Sequence, residues 1–239
     1  AGGGAAGTAG SAGSGGSAGA ATALVSDDFE ATAPNGPPDP ARWTLNMVGG
    51  TGTVTIDGSI GRNSMRSMRV NGTNQFHTTA MLQGAPLFPA PGNKTAGRVY
   101  IRLAQPMPQG HVTWIEAGSI ANDDRETRIG ANIGQLDINR WPGDADQRAP
   151  GKVLTAGMWH CIEFVFGGTL HEARVWLDNQ ELTDLHVTNW VAPNPANGGS
   201  TPIPDWCPSY EAIRLGWELG GGEVWFDDVA FGHDRIGCL

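Results

Sequence analysis

Long polar side chains alternate with aliphatic ones in three short segments near the middle of the chain. The first is GRVYIRL, and TRIGANI and QLDIN repeat its pattern further along the sequence. Successive side chains of a β-strand point to opposite faces, so each segment would gather its polar residues on one face. Such a face can hydrogen-bond to sugar hydroxyls and carboxylates and can transfer protons. Its members are Tyr100, Arg102, Arg128, Asn132, Gln135, Asp137 and Asn139.

The segment GHVTWIEAG can be placed on this face in two ways. Either His111 and Thr113 belong to the polar face, or the alternate set with Trp114 and Glu116 does. A buried glutamate is costly without a partner, so the sequence favours Trp114 and Glu116 on the polar face and His111 at the mouth of the strand. His77, in QFHTTAML, alternates in the same way and is expected on a neighbouring strand.

Tryptophan is unusually frequent, with nine residues against two tyrosines. Its flat apolar ring can stack on a pyranose ring. Trp114, Trp141 and Trp190 are the candidates for the surface, and Trp141 opens the segment WPGDADQR, a loop that could overhang the polar face.

The elements that must position these residues are all strands. The chain contains 36 glycines and 16 prolines, and no window of about a dozen residues carries the apolar stripe of a helix. Short runs rich in β-branched and aromatic residues alternate with Gly, Pro, Asn and Asp clusters instead. The sequence therefore predicts an all-β chain, a jelly-roll β-sandwich of the concanavalin-like kind with a concave carbohydrate groove. The predicted strands are 51–57, 67–70, 98–103, 112–116, 128–133, 135–139, 161–166, 172–177, 212–219 and 223–231.

The first 23 residues differ in composition from the rest. They consist almost entirely of Gly, Ala, Ser and Thr, which cannot bury enough apolar area to offset the entropy of ordering. We therefore predict a flexible linker over 1–23 and one domain over 24–239.

Charge and hydropathy exclude two classes of partner. The net charge is −9 and the 15 basic residues form no run, so binding to nucleic acid is not expected. No apolar run reaches the roughly 20 residues that span a bilayer. The chain opens without an initiator Met or a leader-like segment, and we interpret it as a mature secreted protein, expected to be a monomer.

Three cysteines, Cys161, Cys207 and Cys238, allow at most one intramolecular disulfide. A bridge between Cys161 and Cys238 would tie down the end of the chain, which leaves Cys207 as a free thiol. The alternative is three reduced, buried cysteines.

The end of the chain suggests a metal site. The runs 212–219 and 223–231 flank a triple glycine and predict a β-hairpin, and the second run contains the acidic pair Asp227 and Asp228. A second acidic pair, Asp27 and Asp28, lies in the first strand-like segment. The two pairs would repel on adjacent strands unless a cation lay between them, and calcium prefers oxygen ligands. The alternative is that these carboxylates are solvated charges at a sheet edge. Candidate calcium ligands are Glu30, Asp57, Ser59, Asn63 and Asp228.

Several motifs, in order along the chain, resemble the fungal cellulose-induced proteins of the Cip type and their bacterial relatives. They are FE near the start, then WHCIEFVF, ARVWLDNQEL, LGWE, VWFDDVAF and a terminal RIGC. The resemblance implies a secreted, calcium-binding jelly roll that is similar in fold to alginate and glucuronan lyases. It also implies that the chain is a bacterial member of the family. It also implies a disulfide between Cys161 and Cys238 and a structural calcium ion held by Glu30, Ser59, Asn63 and Asp228.

A lyase of this kind cleaves uronic-acid polymers by β-elimination. It needs a group that neutralises the uronate carboxylate, a base that removes the C5 proton and an acid that protonates the leaving oxygen. The resemblance implies Gln135, Asn132 or Arg128 as neutraliser, His111 or His77 as base, Tyr100 as acid and Asp137 as an acidic groove residue. The remaining candidates would bind substrate; they are Arg102, Trp114, Glu116, Asn132, Asn139 and Trp141.

Two other functions fit the same polar face. One is a non-catalytic carbohydrate-binding jelly roll that assists the degradation of cellulose or hemicellulose. The other is a retaining glycoside hydrolase, which requires two carboxylates about 5 Å apart, and Glu116 with Asp137 is the pair available for it.

Overall fold

The computed structural model describes residues 21–48, 51–73, 77–120, 126–141, 145–188 and 209–239. These residues form two antiparallel sheets that pack face to face, which confirms the predicted β-sandwich. No helix among them is long and apolar enough to cross a membrane. The linker predicted over 1–23 lies almost wholly outside the described residues and stays a prediction.

Sheet A has nine strands and contains both the first and the last strand. Its main path runs β13-β12-β11-β6-β16-β4-β3, with β1 paired to β16 and β14 paired to β12. The strands are β1 (Val25–Asp27), β3 (Thr53–Asp57), β4 (Ser67–Gly72), β6 (Lys94–Leu103), β11 (Trp159–Gly167), β12 (Glu172–Leu177), β13 (Gln180–Glu181), β14 (Val187–Thr188) and β16 (Gly222–Gly232).

Sheet B has seven strands in the order β10-β9-β8-β7-β15-β5-β2. They are β2 (Thr44–Met47), β5 (Thr78–Gln83), β7 (Val112–Gly118), β8 (Glu126–Asn132), β9 (Gln135–Trp141), β10 (Ala145–Arg148) and β15 (Ala212–Glu218). Two short 3-10 turns, Pro91–Asn93 and Thr183–Leu185, complete the regular structure of the described part.

The alternation read from the sequence places the core correctly. In sheet A, Val99, Ile101 and Leu103 are buried in the core between the sheets, as are Ile129 and Ile138 of sheet B. The polar residues between them lie on the opposite faces, away from the core. We call the face of sheet B that points away from sheet A the outer face.

The predicted hairpin at the end of the chain is wrong. β15 pairs with β7 and β5 in sheet B, whereas β16 pairs with β6, β4 and β1 in sheet A. The triple glycine thus carries the chain from one sheet to the other. A Cβ on Gly222 would lie 2.2 Å from the Trp217 ring, so only glycine can begin β16 beneath that side chain. β16 is also a central strand and not an edge.

The disulfide between Cys161 and Cys238 is present, with Cα atoms 6.1 Å apart. Next to it, the Tyr100 hydroxyl accepts a hydrogen bond from the Leu239 backbone N–H at 2.8 Å and lies 3.1 Å from the Leu239 carbonyl oxygen. The end of the chain is therefore held to β11 and β6. Cys207 lies outside the described residues.

Candidate functional site

The outer face of sheet B carries polar residues in register on three adjacent strands. Thr113 of β7 pairs with Gly130 of β8, which pairs with Asp137 of β9. Three positions further along β7, Glu116 pairs with Arg128, which pairs with Asn139. At the other end of these strands, Asn132 pairs with Gln135, and His111 directly precedes Val112, the partner of Ala131. Antiparallel pairing thus builds a continuous polar strip from residues far apart in sequence.

Six ionisable side chains of this face form a buried group that we call the charged cluster. Its members are His77, Glu116, Glu126, Arg128, Arg214 and Glu218, and none is more than 7% exposed. Burial of so many charges is tolerated only where they are paired and hydrogen-bonded.

Two arginines link the three glutamates. Arg128 donates two hydrogen bonds to Oε2 of Glu126, at 2.9 and 2.6 Å, and its Nη2 lies 3.1 Å from Oε1 of Glu218. Arg214 donates to Oε1 of Glu116 and to the backbone carbonyl oxygens of residues 119 and 120. The cluster is thereby held rigidly across β8, β7 and β15.

Burial shifts two pKa values in the cluster. Desolvation, followed by repulsion from Glu126, raises the pKa of Glu116 to about 8, although Arg214 and Arg128 oppose the shift. Desolvation also lowers the pKa of His77, against the attraction of Glu218 and Glu126. At neutral pH the imidazole of His77 is therefore neutral. The carboxyl group of Glu116 is protonated unless a bound cation compensates the negative charge of its ionised form.

Several polar atoms of this face lack a hydrogen-bond partner within the described part of the chain. They are fully buried, and most buried polar atoms in proteins are satisfied, so their concentration on one face points to a binding site. These atoms are Nδ1 of His77, Oε2 of Glu116, Oε2 of Glu218, Nε of Arg214, Oγ1 of Thr79 and Oγ1 of Thr113.

The structure brings together most of the predicted site residues. Arg128 and Glu116 belong to the charged cluster, and Asp137 and Asn139 are buried beside them on the same face. Asn132, Gln135 and His111 lie at the end of the strip and are partly exposed. The amide nitrogen of Asn132 donates to Asp146 at 3.2 Å. The side chain of Trp141 and the whole of Trp190 lie outside what the structure describes.

The placement of three predicted residues on this face is wrong. Tyr100 and Arg102 belong to β6 of sheet A, so they lie on the far side of the sandwich core. Arg102 there donates to the carbonyl oxygen of Gly157 at 2.9 Å. Alternation within β6 was predicted correctly, but a single strand's pattern does not show which sheet it joins.

Trp114 is misplaced for a different reason. The pairing of β7 with β8 skips from Thr113 to Ile115, so Trp114 is the extra residue of a β-bulge. Its side chain is 1% exposed and packs in the core, with its ring 6.2 Å from that of Trp217. Beyond the bulge the alternation resumes in the opposite phase, so Glu116 faces outward and Trp114 does not.

Sequence reasoning missed Glu126, Arg214 and Glu218 as members of the site. A signal was present for two of them. In the run IRLGWE, Arg214 and Glu218 alternate with Ile213, Leu215 and Trp217, all of which lie in the core.

Three of the four side chains predicted to bind calcium, those of Glu30, Ser59 and Asp228, form hydrogen bonds to other protein groups. Oδ2 of Asp228 accepts a hydrogen bond from Nη1 of Arg62 at 2.6 Å, and Oε1 of Glu30 accepts from the backbone N–H groups of Met65 and Arg66. The hydroxyl of Ser59 donates to Asp57 at 2.8 Å. Arg62 thus supplies positive charge beside the acidic pair, and Asn63 makes no hydrogen bond to Glu30 or Asp228. Calcium at this set would have to displace Arg62, and its presence stays a prediction.

Asp227 is buried next to these groups. Burial, together with the negative charges of Asp228 and Glu30, raises its pKa to about 6 against hydrogen bonds from two backbone N–H groups. Within the described ranges, two groups of three metal-ligating side chains converge, and neither includes Glu30 or Asp228. One consists of Cys161, Cys238 and Glu163, where the sulfurs are joined in the disulfide. The other is His77, Glu116 and Glu218.

Comparison with known proteins identifies the family. The family described as "Polysacc_lyase-like: Cip1-like, core domain" matches residues 28–234. The chain belongs to the Cip1-like family. The solved structure of "Cellulose induced protein, Cip1" is 26% identical, with a TM-score of 0.72, and the match covers 90% of this chain and 100% of that one. The resemblance to the Cip-type proteins drawn from the sequence motifs is confirmed, and the bacterial origin stays a prediction.

Two more distant structures share the fold alone. An endo-β-1,4-glucuronan lyase from the fungus Trichoderma reesei is 15% identical with a TM-score of 0.54, over 84% of this chain and 94% of that one. An endo-1,3-β-glucanase from Streptomyces sioyaensis is 11% identical with a TM-score of 0.57, over 88% and 95%. No curated protein sequence matches the chain.

Proposed function

We propose that this protein is a secreted carbohydrate-active protein that binds a uronic-acid-containing glycan along the outer face of sheet B and cleaves it by β-elimination. The observation that carries the proposal is the in-register polar strip across β7, β8 and β9, with its buried end charged and its other end partly exposed. The disulfide between Cys161 and Cys238 supports an oxidising compartment. Membership of a polysaccharide lyase-like family supports a glycan as the ligand.

The exposed end of the strip offers the groups that the reaction needs. The amides of Asn132 and Gln135 can hydrogen-bond to the uronate carboxylate and so acidify the C5 proton. Arg128 is less available as neutraliser because Glu126 and Glu218 already bind it. His111 directly precedes β7, next to the pair of Val112 with Ala131, and is the candidate base.

In the proposed step, the imidazole of His111 removes the C5 proton and the C4–O4 bond breaks. The electron pair of the C5–H bond forms the C4=C5 double bond, and the imidazolium returns the proton to the leaving oxygen. A separate tyrosine acid is not required. Neither tyrosine of the chain is available for it, because Tyr100 lies in sheet A and the hydroxyl of Tyr210 is 2.9 Å from Oγ1 of buried Thr127.

The test is to incubate the protein with glucuronan, alginate and pectin and to follow the ultraviolet absorbance of the unsaturated uronide. We expect product from at least one polymer, and a loss of about 10²–10⁴-fold in rate for His111→Gln. His171→Asn is the matched control, since His171 is an exposed residue of the turn between β11 and β12. Equal loss in both variants, or product formation unaffected by His111→Gln, would exclude His111 as the base.

A non-catalytic glycan-binding jelly roll is the second candidate. The absence of both tyrosines from the outer face favours it, since tyrosine is the usual acid of such lyases. If no polymer yields unsaturated product while glycan columns retain the protein, and Asn132→Ala weakens retention, binding without cleavage is the function. The glycoside hydrolase alternative is disfavoured because the carboxylates of Glu116 and Asp137 are buried, 2% and 0% exposed.

Two other properties are proposed with this function. We infer a monomer, which sedimentation at several concentrations would test. We also keep the structural calcium ion at Glu30, Ser59, Asn63 and Asp228 as a proposal that rests on the family resemblance.

A further inference from the structure

Three potential metal ligands meet on adjacent strands of sheet B. His77 immediately precedes β5, Glu116 lies on β7 and Glu218 on β15, and the strand order is β7-β15-β5. One ligand atom from each residue lies within 4.8 Å of the other two. Nδ1 of His77 is 3.9 Å from Oε2 of Glu116.

Each of the three residues also has one buried polar atom without a hydrogen-bond partner. Nδ1 of His77, Oε2 of Glu116 and Oε2 of Glu218 are buried and have no hydrogen-bond partner in the described part of the chain. An unsatisfied buried polar group is costly, and more so when it is charged. Three such groups in one place therefore call for a ligand that satisfies them together.

The two arginines of the charged cluster leave these atoms free by binding the opposite oxygens. Arg214 donates to Oε1 of Glu116, and Arg128 lies 3.1 Å from Oε1 of Glu218. Both carboxylates are thus fixed in orientation by one oxygen while the other is left for a ligand. Metal-binding carboxylates are typically held by outer hydrogen bonds in this way.

The charge balance of the cluster favours a cation. The cluster contains three glutamates and two arginines, so a bound cation would balance the negative charge that remains when all three carboxylates are ionised. The space is closed to a sugar ring, because none of the three ligand atoms is accessible to solvent. A single metal ion, unlike a sugar ring, can bind to atoms that are buried in the folded protein.

We propose that His77, Glu116 and Glu218 bind one divalent transition-metal ion, Zn²⁺ or Mn²⁺. An imidazole nitrogen with two carboxylate oxygens suits these ions, whereas Ca²⁺ takes six to eight oxygen ligands. Metal–ligand bonds of about 2.0–2.2 Å place ligand atoms up to about 4 Å apart across the ion, close to the spacing present. The ion would join three neighbouring strands at the buried end of the polar strip. This site is independent of the proposed cleavage and of the predicted calcium site, which includes Asp228 of sheet A.

The test measures binding by the intact folded protein. After dialysis against a chelator, Mn²⁺, Zn²⁺ and Ca²⁺ are each titrated calorimetrically, and bound Mn²⁺ is also followed by electron paramagnetic resonance. We expect one equivalent of Mn²⁺ or Zn²⁺ to bind, and His77→Asn and Glu218→Gln each to weaken that binding by at least about tenfold. Asparagine suits position 77 because His77 has a φ of 55°.

The control variant is titrated with the same metal ions as the wild-type protein. His171→Asn removes a histidine at a positive φ of 44° outside the charged cluster and should leave the affinity unchanged. Absence of stoichiometric Mn²⁺ and Zn²⁺ binding by the wild-type protein would overturn the proposal, as would unchanged affinity in a folded Glu218→Gln variant. Binding that is lost only in Asp228→Asn would assign the ion to the sheet A carboxylates instead and would equally overturn it. Since none of these readouts uses a glycan, failure here leaves the proposed cleavage untouched.

Discussion

Arg214 and Glu116 pair directly across β15 and β7, and both side chains are almost inaccessible to solvent, 0% and 2% exposed. Arg214 also donates to two backbone carbonyl oxygens near the end of β7. One guanidinium therefore binds both a carboxylate of the cluster and the backbone of the two residues that follow β7. The outer face of sheet B is stabilised by charge pairing, whereas its inner face is stabilised by apolar packing against sheet A.

Replacement of Arg214 by methionine should destabilise the protein strongly. The change leaves three buried glutamates with a single arginine and removes donors from two carbonyl oxygens. Breaking a buried pair in this way costs about 3–5 kcal/mol. Urea unfolding of wild type and variant measures the difference in the free energy of unfolding. Arg69→Met is the control, since the pair of Arg69 with Glu223 is partly exposed, 43% and 26%, and should contribute no more than about 1 kcal/mol.

Stability should fall with rising pH through the titration of Glu116 when divalent metal is removed. The pKa of Glu116 is raised from 4.5 to about 8 in the folded protein. The folded state therefore holds a proton that the unfolded state releases between these values. The corresponding stabilisation is fully present below about pH 4.5 and is lost as the pH rises to about 8.

The measurement is the free energy of unfolding as a function of pH in the presence of a chelator, for wild type and Glu116→Gln. The variant lacks the titrating group, so its curve should be flatter between pH 4.5 and 8, by up to about 1.4 kcal/mol per pH unit. Parallel curves for the two proteins would contradict the raised pKa of Glu116.

Removal of Arg62 should raise the affinity for Ca²⁺. Nη1 of Arg62 donates a hydrogen bond to Oδ2 of Asp228 at 2.6 Å, and the guanidinium carbon lies 3.5 Å from the centre of the Tyr100 ring. In this position the guanidinium repels any cation that approaches the carboxylate. Arg62→Gln should strengthen Ca²⁺ binding by at least about tenfold, since charge repulsion at this range exceeds the corresponding ~1.4 kcal/mol. Calorimetric titration with Ca²⁺ checks this. The calcium prediction fails if neither Arg62→Gln nor Asp228→Asn alters the titration.

Loss of the disulfide should cost about 2–5 kcal/mol, since the two cysteines are 77 residues apart and the bridge restricts the unfolded chain. Cys238→Ser should lower the urea midpoint accordingly. Thiol titration of the unfolded, oxidised wild type should find one free thiol per chain, as expected for three cysteines and one bridge. Three thiols would show that the bridge does not form.

The fold class and most strands could be predicted from the sequence because each depends on local alternation. Val99, Ile101 and Leu103 identify the buried face of β6 without any knowledge of its neighbours. The sheet to which a strand belongs depends on distant pairing instead. For that reason the sequence pattern places Tyr100 on the wrong sheet. It also predicts a hairpin of β15 and β16, although the glycine turn between them joins two sheets.

The candidate site was predictable only in part. Arg128, Asp137 and Asn139 were found because β8 and β9 are regular and adjacent in sequence. The contribution of Arg214 depends on β15 inserting between β7 and β5, which no local pattern encodes. The disulfide partners were correctly assigned, since the resemblance to the family and the position of Cys238 near the chain end indicated the same pair.

The β-bulges also affect how relatives should be aligned with this chain. β7 has an extra residue at Trp114, and the pairing of β15 with β7 shifts between Leu215 and Glu218. A relative without these bulges would be shorter by one residue inside each of these strands. At 26% identity to Cip1, a gap moved into the nearest loop would put Glu116 opposite a core residue of the relative. Comparison of site residues within the family therefore needs alignments built from strand register and not from sequence alone.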